Sequence, residues 1–273
     1  MKENINLDEF VSDINKLYEQ SDCERDFKDI LIYFNEDVGR CFQLINRKRS
    51  EEIEDVLPSI FKWFCALYAK YRNDKILVSD ILWNKFPGIC PYCKKQTCNC
   101  GVAKSVLDIK NIKEVAASGK DNKPNSINEW QEHFQKIYPR GADSSFNINV
   151  NRLAEELSEL SEAYRKSFIK KDLPCIEMEL ADVFSWIMGI ANLINQLKIN
   201  KKKSERGEYL IGEILYHEFH DGCPYCKDLR KKHTSLLCCC LIKEQKFRLI
   251  SDYEDVEDND ENGNQEIVPI LTP

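Results

Sequence analysis

Residues 151–191 read NRLAEELSELSEAYRKSFIKKDLPCIEMELADVFSWIMGIA, and the fold is decided by this stretch. Leu153, Leu157, Leu160 and Tyr164 recur at helical spacing, and Ile176, Leu180, Val183, Phe184 and Ile187 do so again after a polar break. Two helices follow, joined by Lys170-Lys171-Asp172, with Asp172 as N-cap and Pro174 in the first turn, where its missing N–H costs little. So short a connection predicts antiparallel packing.

Acids mark the edge of both apolar stripes. Glu156 and Glu159 stand one turn apart on a face of the first helix, and Glu179 and Asp182 repeat the spacing on the second. A single pair of this kind is more often a solvated face matched to Lys or Arg. Two pairs on adjacent helices bring four carboxylates together, and partly buried like charges repel unless a cation lies between them. The hard, oxygen-seeking cation suited to that cluster is Mg2+ or Mn2+.

Glu155-Glu156-Leu-Ser-Glu159, followed by Glu179-Leu-Ala-Asp182, resembles the EExxE…ExxD signature of the MazG-like all-α NTP pyrophosphohydrolases, a group that includes the dCTP pyrophosphatases and dimeric dUTPases. The likeness covers roughly residues 130–197. It implies a metal-dependent hydrolase that cleaves a nucleoside triphosphate between its α and β phosphates, releasing the monophosphate and pyrophosphate. Glu156, Glu159, Glu179 and Asp182 would then be both the metal ligands and the catalytic set, with Glu155 and Glu162 in supporting places. Family members continue with Lys and Asn residues that hold the nucleotide, which makes Asn192 a candidate here. Lys166 and Lys170 are phosphate candidates by proximity in sequence alone. Trp130 offers a ring for stacking on a base, although an aromatic stripe such as Trp130, Phe134 and Tyr138 is more often core. The chemistry requires no nucleophilic Ser or Cys, and the chain has no G-x-S-x-G, Walker A or G-x-G-x-x-G loop.

Thirteen cysteines without a secretory signal point to metal rather than disulfides. Cys90-Pro-Tyr-Cys93 with Cys98-Asn-Cys100, and Cys223-Pro-Tyr-Cys226 with Cys238 and Cys240, each supply four thiolates, enough for a closed tetrahedral Zn2+ site. Two structural zinc ions are expected. The matched clusters belong to a longer repeat. Phe10 to Tyr18 parallels Trp130 to Tyr138, Phe34 to Val38 parallels Leu153 to Leu157, and Leu77 to Phe86 parallels Leu210 to Phe219. The copies differ at the acids: Asp37 stands at the position of Glu156, but Arg40 at that of Glu159. Aligning Leu57-Pro58 with Leu173-Pro174 sets Trp63 and Ala66 opposite Glu179 and Asp182. The competing register, through Glu52 and Asp55, leaves Pro58 inside a helix and is disfavoured for that reason.

The expected architecture is all-α. Two MazG-like bundles pack as an internal pseudo-dimer, each followed by a four-cysteine zinc knuckle: a degenerate half at 1–104, a linker at 105–125, a catalytic half at 126–250 and an acidic tail at 251–273. That tail carries much of the net charge of −7, so the body is close to neutral. The expected partner is a nucleoside triphosphate, with a homo-oligomer or a second protein compatible, nucleic acid not excluded, no membrane span and a cytoplasmic location. The competing function is a non-catalytic nucleotide sensor or adaptor whose knuckles engage protein or nucleic acid.

Overall fold

A computed structural model describes residues 5–71, 76–100, 109–139, 145–170, 173–201 and 210–224. Among them the regular structure is helical: α1 (Leu7–Asp22), α2 (Phe27–Asn46), α3 (Ile53–Tyr71), α4 (Val78–Lys85), α5 (Ile109–Ser118), α6 (Ile127–Ile137), α7 (Phe146–Lys170), α8 (Leu173–Lys201) and α9 (Ile211–Phe219), with two short 3-10 turns. Local chemistry fixes several of the starts. The Asn6 side chain accepts from Glu9 N–H, and capping boxes pair Asp26 with Asp29 and Ser126 with Glu129, satisfying N–H groups that a helix end otherwise leaves open.

The hairpin α7/α8 forms as its sequence predicts, with α7 ending at Lys170 and α8 opening at Leu173. A second hairpin, α2/α3, lies beside it, α2 against α7 and α3 against α8. Aromatic rings make the seam. Phe27 stacks on Tyr164 at 4.0 Å between centroids, while Phe184 meets Phe61 at 5.8 Å and Phe64 at 5.2 Å. Phe61, Phe64 and Phe184 are almost fully buried. At roughly 1.5–3 kcal/mol per buried large apolar side chain, this seam is a main source of cohesion between the hairpins.

Outer helices complete the assembly with contacts that recur at repeat-related positions. The first turn of α4 is bonded to α1, where Asp8 Oδ1 accepts from Ser79 N at 3.0 Å; that of α9 is bonded to α6, where Asn128 Oδ1 accepts from Gly212 N at 2.8 Å. A side chain at Gly212 would put its Cβ only 2.5 Å from Asn128 Oδ1, which accounts for glycine there. The far ends cross over. Phe86, just past α4, packs on Phe134 and Tyr138 at the end of α6, and Phe219 of α9 packs on Phe10 and Tyr18 of α1. Between α1 and α6 runs an isolated antiparallel bridge, Asn6 to Ser126, in which Leu7 N donates to Asn125 O and Ile127 N to Ile5 O, each at 3.0 Å.

Two expectations are corrected. Pro58 does lie inside a helix, in the second turn of α3, so its placement gives no ground for choosing between registers. The residue is buried, and its missing N–H would have bonded Glu54 in the first turn, where the ladder is only beginning. The segment 105–125 is more than a linker: it contains α5, held to α4 by Trp83 Nε1 donating to Ala116 O at 2.9 Å. All described residues fall within one compact unit, Met1–Cys238. The acidic tail at 251–273 lies outside them. No helix among the described residues is long and apolar enough to cross a membrane.

Candidate metal centre

Three of the four predicted carboxylates meet. Glu156 of α7 and Glu179 and Asp182 of α8 each offer an oxygen within 4.8 Å of the others. The hairpin's apolar stripes turn these acids inward: Leu153, Leu157 and Leu160 are buried on one helix, and Ile176, Leu180 and Val183 on the other. Glu156 Oε1 accepts from Trp186 Nε1 at 3.2 Å. Glu179 Oε2 is buried and has no hydrogen-bond partner. An orphaned carboxylate oxygen in that position is costly unless a cation or proton fills it. Glu159, the fourth expected ligand, is exposed and stands outside the tight group.

The electrostatics match. Burial, then the charges of Asp182 and Glu159, push Glu156 up to about 7; burial, then Asp182, does the same to Glu179. Asp182 is also raised, because burial outweighs the pull of a cation beside it. That cation is Lys85 from α4, which donates to Asp182 Oδ2 and, at 3.0 Å, to Met178 O. Its side chain is only 3% exposed against 13% for Asp182. A buried ammonium is tolerable only with such partners. The set of oxygens, one of them partnerless, fits a small hard cation.

A cavity of about 490 Å3 opens from the acids. Glu156, Asp182, Ser185 and Trp186 line it together with Asn149 and Arg152 of α7, Tyr138 after α6, and Phe86, Cys90, Tyr92, Cys98 and Cys100 from the first half of the chain. Burial raises the Tyr92 phenol well above its ordinary range, and Asp182, Glu156, Glu179 and Glu159 raise it further. The ring therefore stands in the field of all four acids.

Cys90, Cys93, Cys98 and Cys100 form a second cluster, their sulfurs within 4.8 Å of one another. Zn–S bonds of about 2.3 Å in a tetrahedron place sulfurs about 3.8 Å apart, so the cluster can hold a metal such as zinc. Lys94, with φ 59, turns the loop, and Asn99 N donates to Cys93 Sγ at 3.5 Å. Burial raises Cys93, but N–H donation from Asn99 and Lys95 more than offsets it and holds the thiol at about 7. Burial raises Cys98 and Cys100. Full ionisation of the set awaits a cation. In the second cluster Cys223 is buried, while Cys226, Cys238 and Cys240 lie outside the described residues.

The expected nucleotide contacts stand elsewhere. Trp130 is 0% exposed and lies in the core beside His133 and Phe134, so its ring offers no free face to a base. Asn192 is buried and donates to Gln131 O at 3.3 Å, which spends it on joining α8 to α6. Lys166 pairs with Glu162 at 2.7 Å on the exposed side of α7. The Lys170 side chain lies outside the described residues. Tyr92, Arg152 and Trp186 line the cavity, and Lys85 reaches the acids through Asp182. Of these, Trp186, one turn beyond Asp182, was within reach of helical spacing.

Comparison with protein-family models, with curated proteins and with solved structures found no match.

Proposed function

We propose that the protein is a nucleoside triphosphate pyrophosphohydrolase that works with Mg2+ or Mn2+ at Glu156, Glu179 and Asp182, with Glu159 at the rim. The observation that carries this reading is the orphaned Glu179 Oε2 within a cluster of three carboxylates at the end of a ligand-sized cavity. The likeness of these acids to the MazG-like signature supplies the reaction class. The two halves are read as an internal pseudo-dimer, supported by the paired Asp8–Ser79 and Asn128–Gly212 contacts and the crossed Phe86 and Phe219. Each half would carry one structural zinc.

Glu156, Glu179 and Asp182 would hold a hard divalent cation, which would supply neutralisation of phosphate charge and acidification of a water. The chain's own groups do the rest. One of the clustered acids takes a proton from water as the water oxygen bonds the α phosphorus. The bond from that phosphorus to the bridging oxygen breaks, and pyrophosphate leaves. Trp186 fixes Glu156 by its indole N–H, Lys85 holds Asp182, and Arg152, whose guanidinium is paired with Glu155, stands at the cavity wall where a phosphate competes for it.

One observation favours the non-hydrolytic alternative. The Lys85 ammonium already serves Asp182 as counter-ion, as it would in a site that binds nucleotide without turnover. Product analysis over a panel of NTPs and dNTPs with Mg2+ or Mn2+ separates the readings. Monophosphate plus pyrophosphate is expected; nucleotide binding without products establishes the sensor, and orthophosphate release contradicts the proposed bond cleavage.

A further inference from the structure

The cavity that meets the carboxylates is walled in part by the first half's cysteine loop. That loop is anchored to the second half on both sides. Before it, Lys85 bonds Asp182, Phe86 O bonds His133 Nε2 at 2.8 Å, and the Phe86 ring packs on Phe134 and Tyr138. Behind it, Cys98 N donates to Ile137 O at 2.7 Å, at the end of α6. Tyr92 lies between the anchors and between two metal-binding thiols.

What holds the loop between its anchors is slight. Lys94, Lys95, Gln96 and Thr97 are exposed, and the backbone is closed by Cys90 N donating to Lys95 O and Lys94 N to Cys90 O, both at 2.9 Å. With so little apolar cover, a thiolate-bound metal is the cross-link that gives such a loop one shape. Tyr92 is 40% exposed and lines the cavity with Glu156 and Asp182. Its ring is a stacking surface next to the site of the phosphates.

We infer that the metal held by Cys90, Cys93, Cys98 and Cys100 sets the nucleotide affinity of the carboxylate site, by fixing the Tyr92 ring as one wall of the slot that takes the base. This rests on the nucleotide reading above. It makes the first half a contributor to binding, and it makes loss of a soft metal in one half weaken a hard-metal site in the other.

The test uses the full chain and two direct binding measurements, Mn2+ by electron paramagnetic resonance and an α,β-imido nucleoside triphosphate by calorimetry. Tyr92→Ala is expected to weaken the nucleotide about tenfold, the size of one lost stacking contact. Zinc content stays unchanged, and Mn2+ affinity stays within about twofold. Tyr92→Phe keeps the ring and binds within about threefold of the parent. Cys93→Ser loses one zinc per chain and weakens the nucleotide at least as much as Tyr92→Ala, and the double variant is little worse than either single one, because both act through the same ring. If Cys93→Ser fails to fold, zinc is instead stripped from the parent with a chelator that is then dialysed away, and parent-like nucleotide binding by the folded, zinc-free chain overturns the inference. Parent-like nucleotide binding by Tyr92→Ala, or additive losses in the double variant, overturns the inference while leaving the carboxylate site standing. If the parent protein binds neither Mn2+ nor the nucleotide, the carboxylate reading fails and takes the inference with it.

Discussion

The two hairpins have the same helical frame and opposite solutions to a buried acid. In α2/α3, Asp37 accepts from Trp63 Nε1 at 2.9 Å, from Ser59 Oγ at 2.5 Å and from Arg40 at 3.3 Å. This acid is answered from within its own hairpin. Lys62 sits over the Trp63 ring at 3.3 Å and Arg25 over Tyr33 at 5.0 Å, so the space that α7/α8 leaves to a cavity is filled by rings and cations. In α7/α8 the acids outnumber their partners, and Lys85 must come from the other half of the chain. An acid saturated by its own protein is structural; one left short is available to a ligand.

The hardest test of this contrast is to neutralise the acids left short. Glu179→Gln and Asp182→Asn are expected to lower turnover at least a hundredfold, about the effect of removing one main electrostatic group from a reacting centre, with the helical circular dichroism retained. Retained turnover in both variants would remove the cluster from the chemistry.

Asp37→Ala strikes the saturated acid. It leaves the Trp63 indole N–H and the Ser59 hydroxyl without their acceptor, so denaturant unfolding should show a loss of roughly 1–3 kcal/mol. The turnover of the folded fraction should stay within about twofold. A larger fall in turnover than in stability would mean that the first hairpin does chemistry.

Proton affinity gives a subtler difference. Glu156 and Glu179 rise from an ordinary 4.5 to about 7 in the folded state, so the native protein holds those protons more tightly than the unfolded chain. The stability these two groups contribute is therefore fully present below pH 4.5 and is lost as pH climbs through 7. Without divalent cations, the double variant Glu156→Gln with Glu179→Gln should melt several degrees above the parent at about pH 7.5, and the gap should close near pH 4.5. Added Mn2+ should raise the parent's melting temperature at the higher pH and hardly move the variant's. A pH-independent gap contradicts the burial of these acids as the cause.

The smallest effect belongs to Glu52. It is paired with exposed Arg49 at the surface, where such a pair contributes little, and Glu52→Gln should leave both the denaturation midpoint and the turnover unchanged within error.

The hairpin and its inward acids were legible because helical periodicity is local. Glu156, Glu179 and Asp182 needed only the positions of Leu157, Leu180 and Val183 to be placed on the right face. Glu159 departs from expectation because it lies on the exposed strip of α7 with Glu155, Ser158 and Glu162, a side that a spacing of three from Glu156 does not rule out. Lys85 and Tyr92 left no local signal: Lys85 meets Asp182 across 97 positions of sequence, and only the crossing of α4 onto the other half brings them near. Trp63 reads in sequence as a lost ligand, yet its indole N–H is what Asp37 needs.

The bridge between Asn6 and Ser126 sets a timetable for synthesis. The Asn6 and Asn125 side chains bond across 119 positions, so the first turn of α1 cannot be pinned until Asn125 has left the ribosome. The α4 end, with the Lys85 ammonium, waits longer still, for Asp182. Contacts so distant in sequence close late and slowly, since the loop entropy is lost before the bonds form. During that interval Phe86 lacks Phe134 and Tyr138, and the nascent first half displays the apolar surface on which chaperones act.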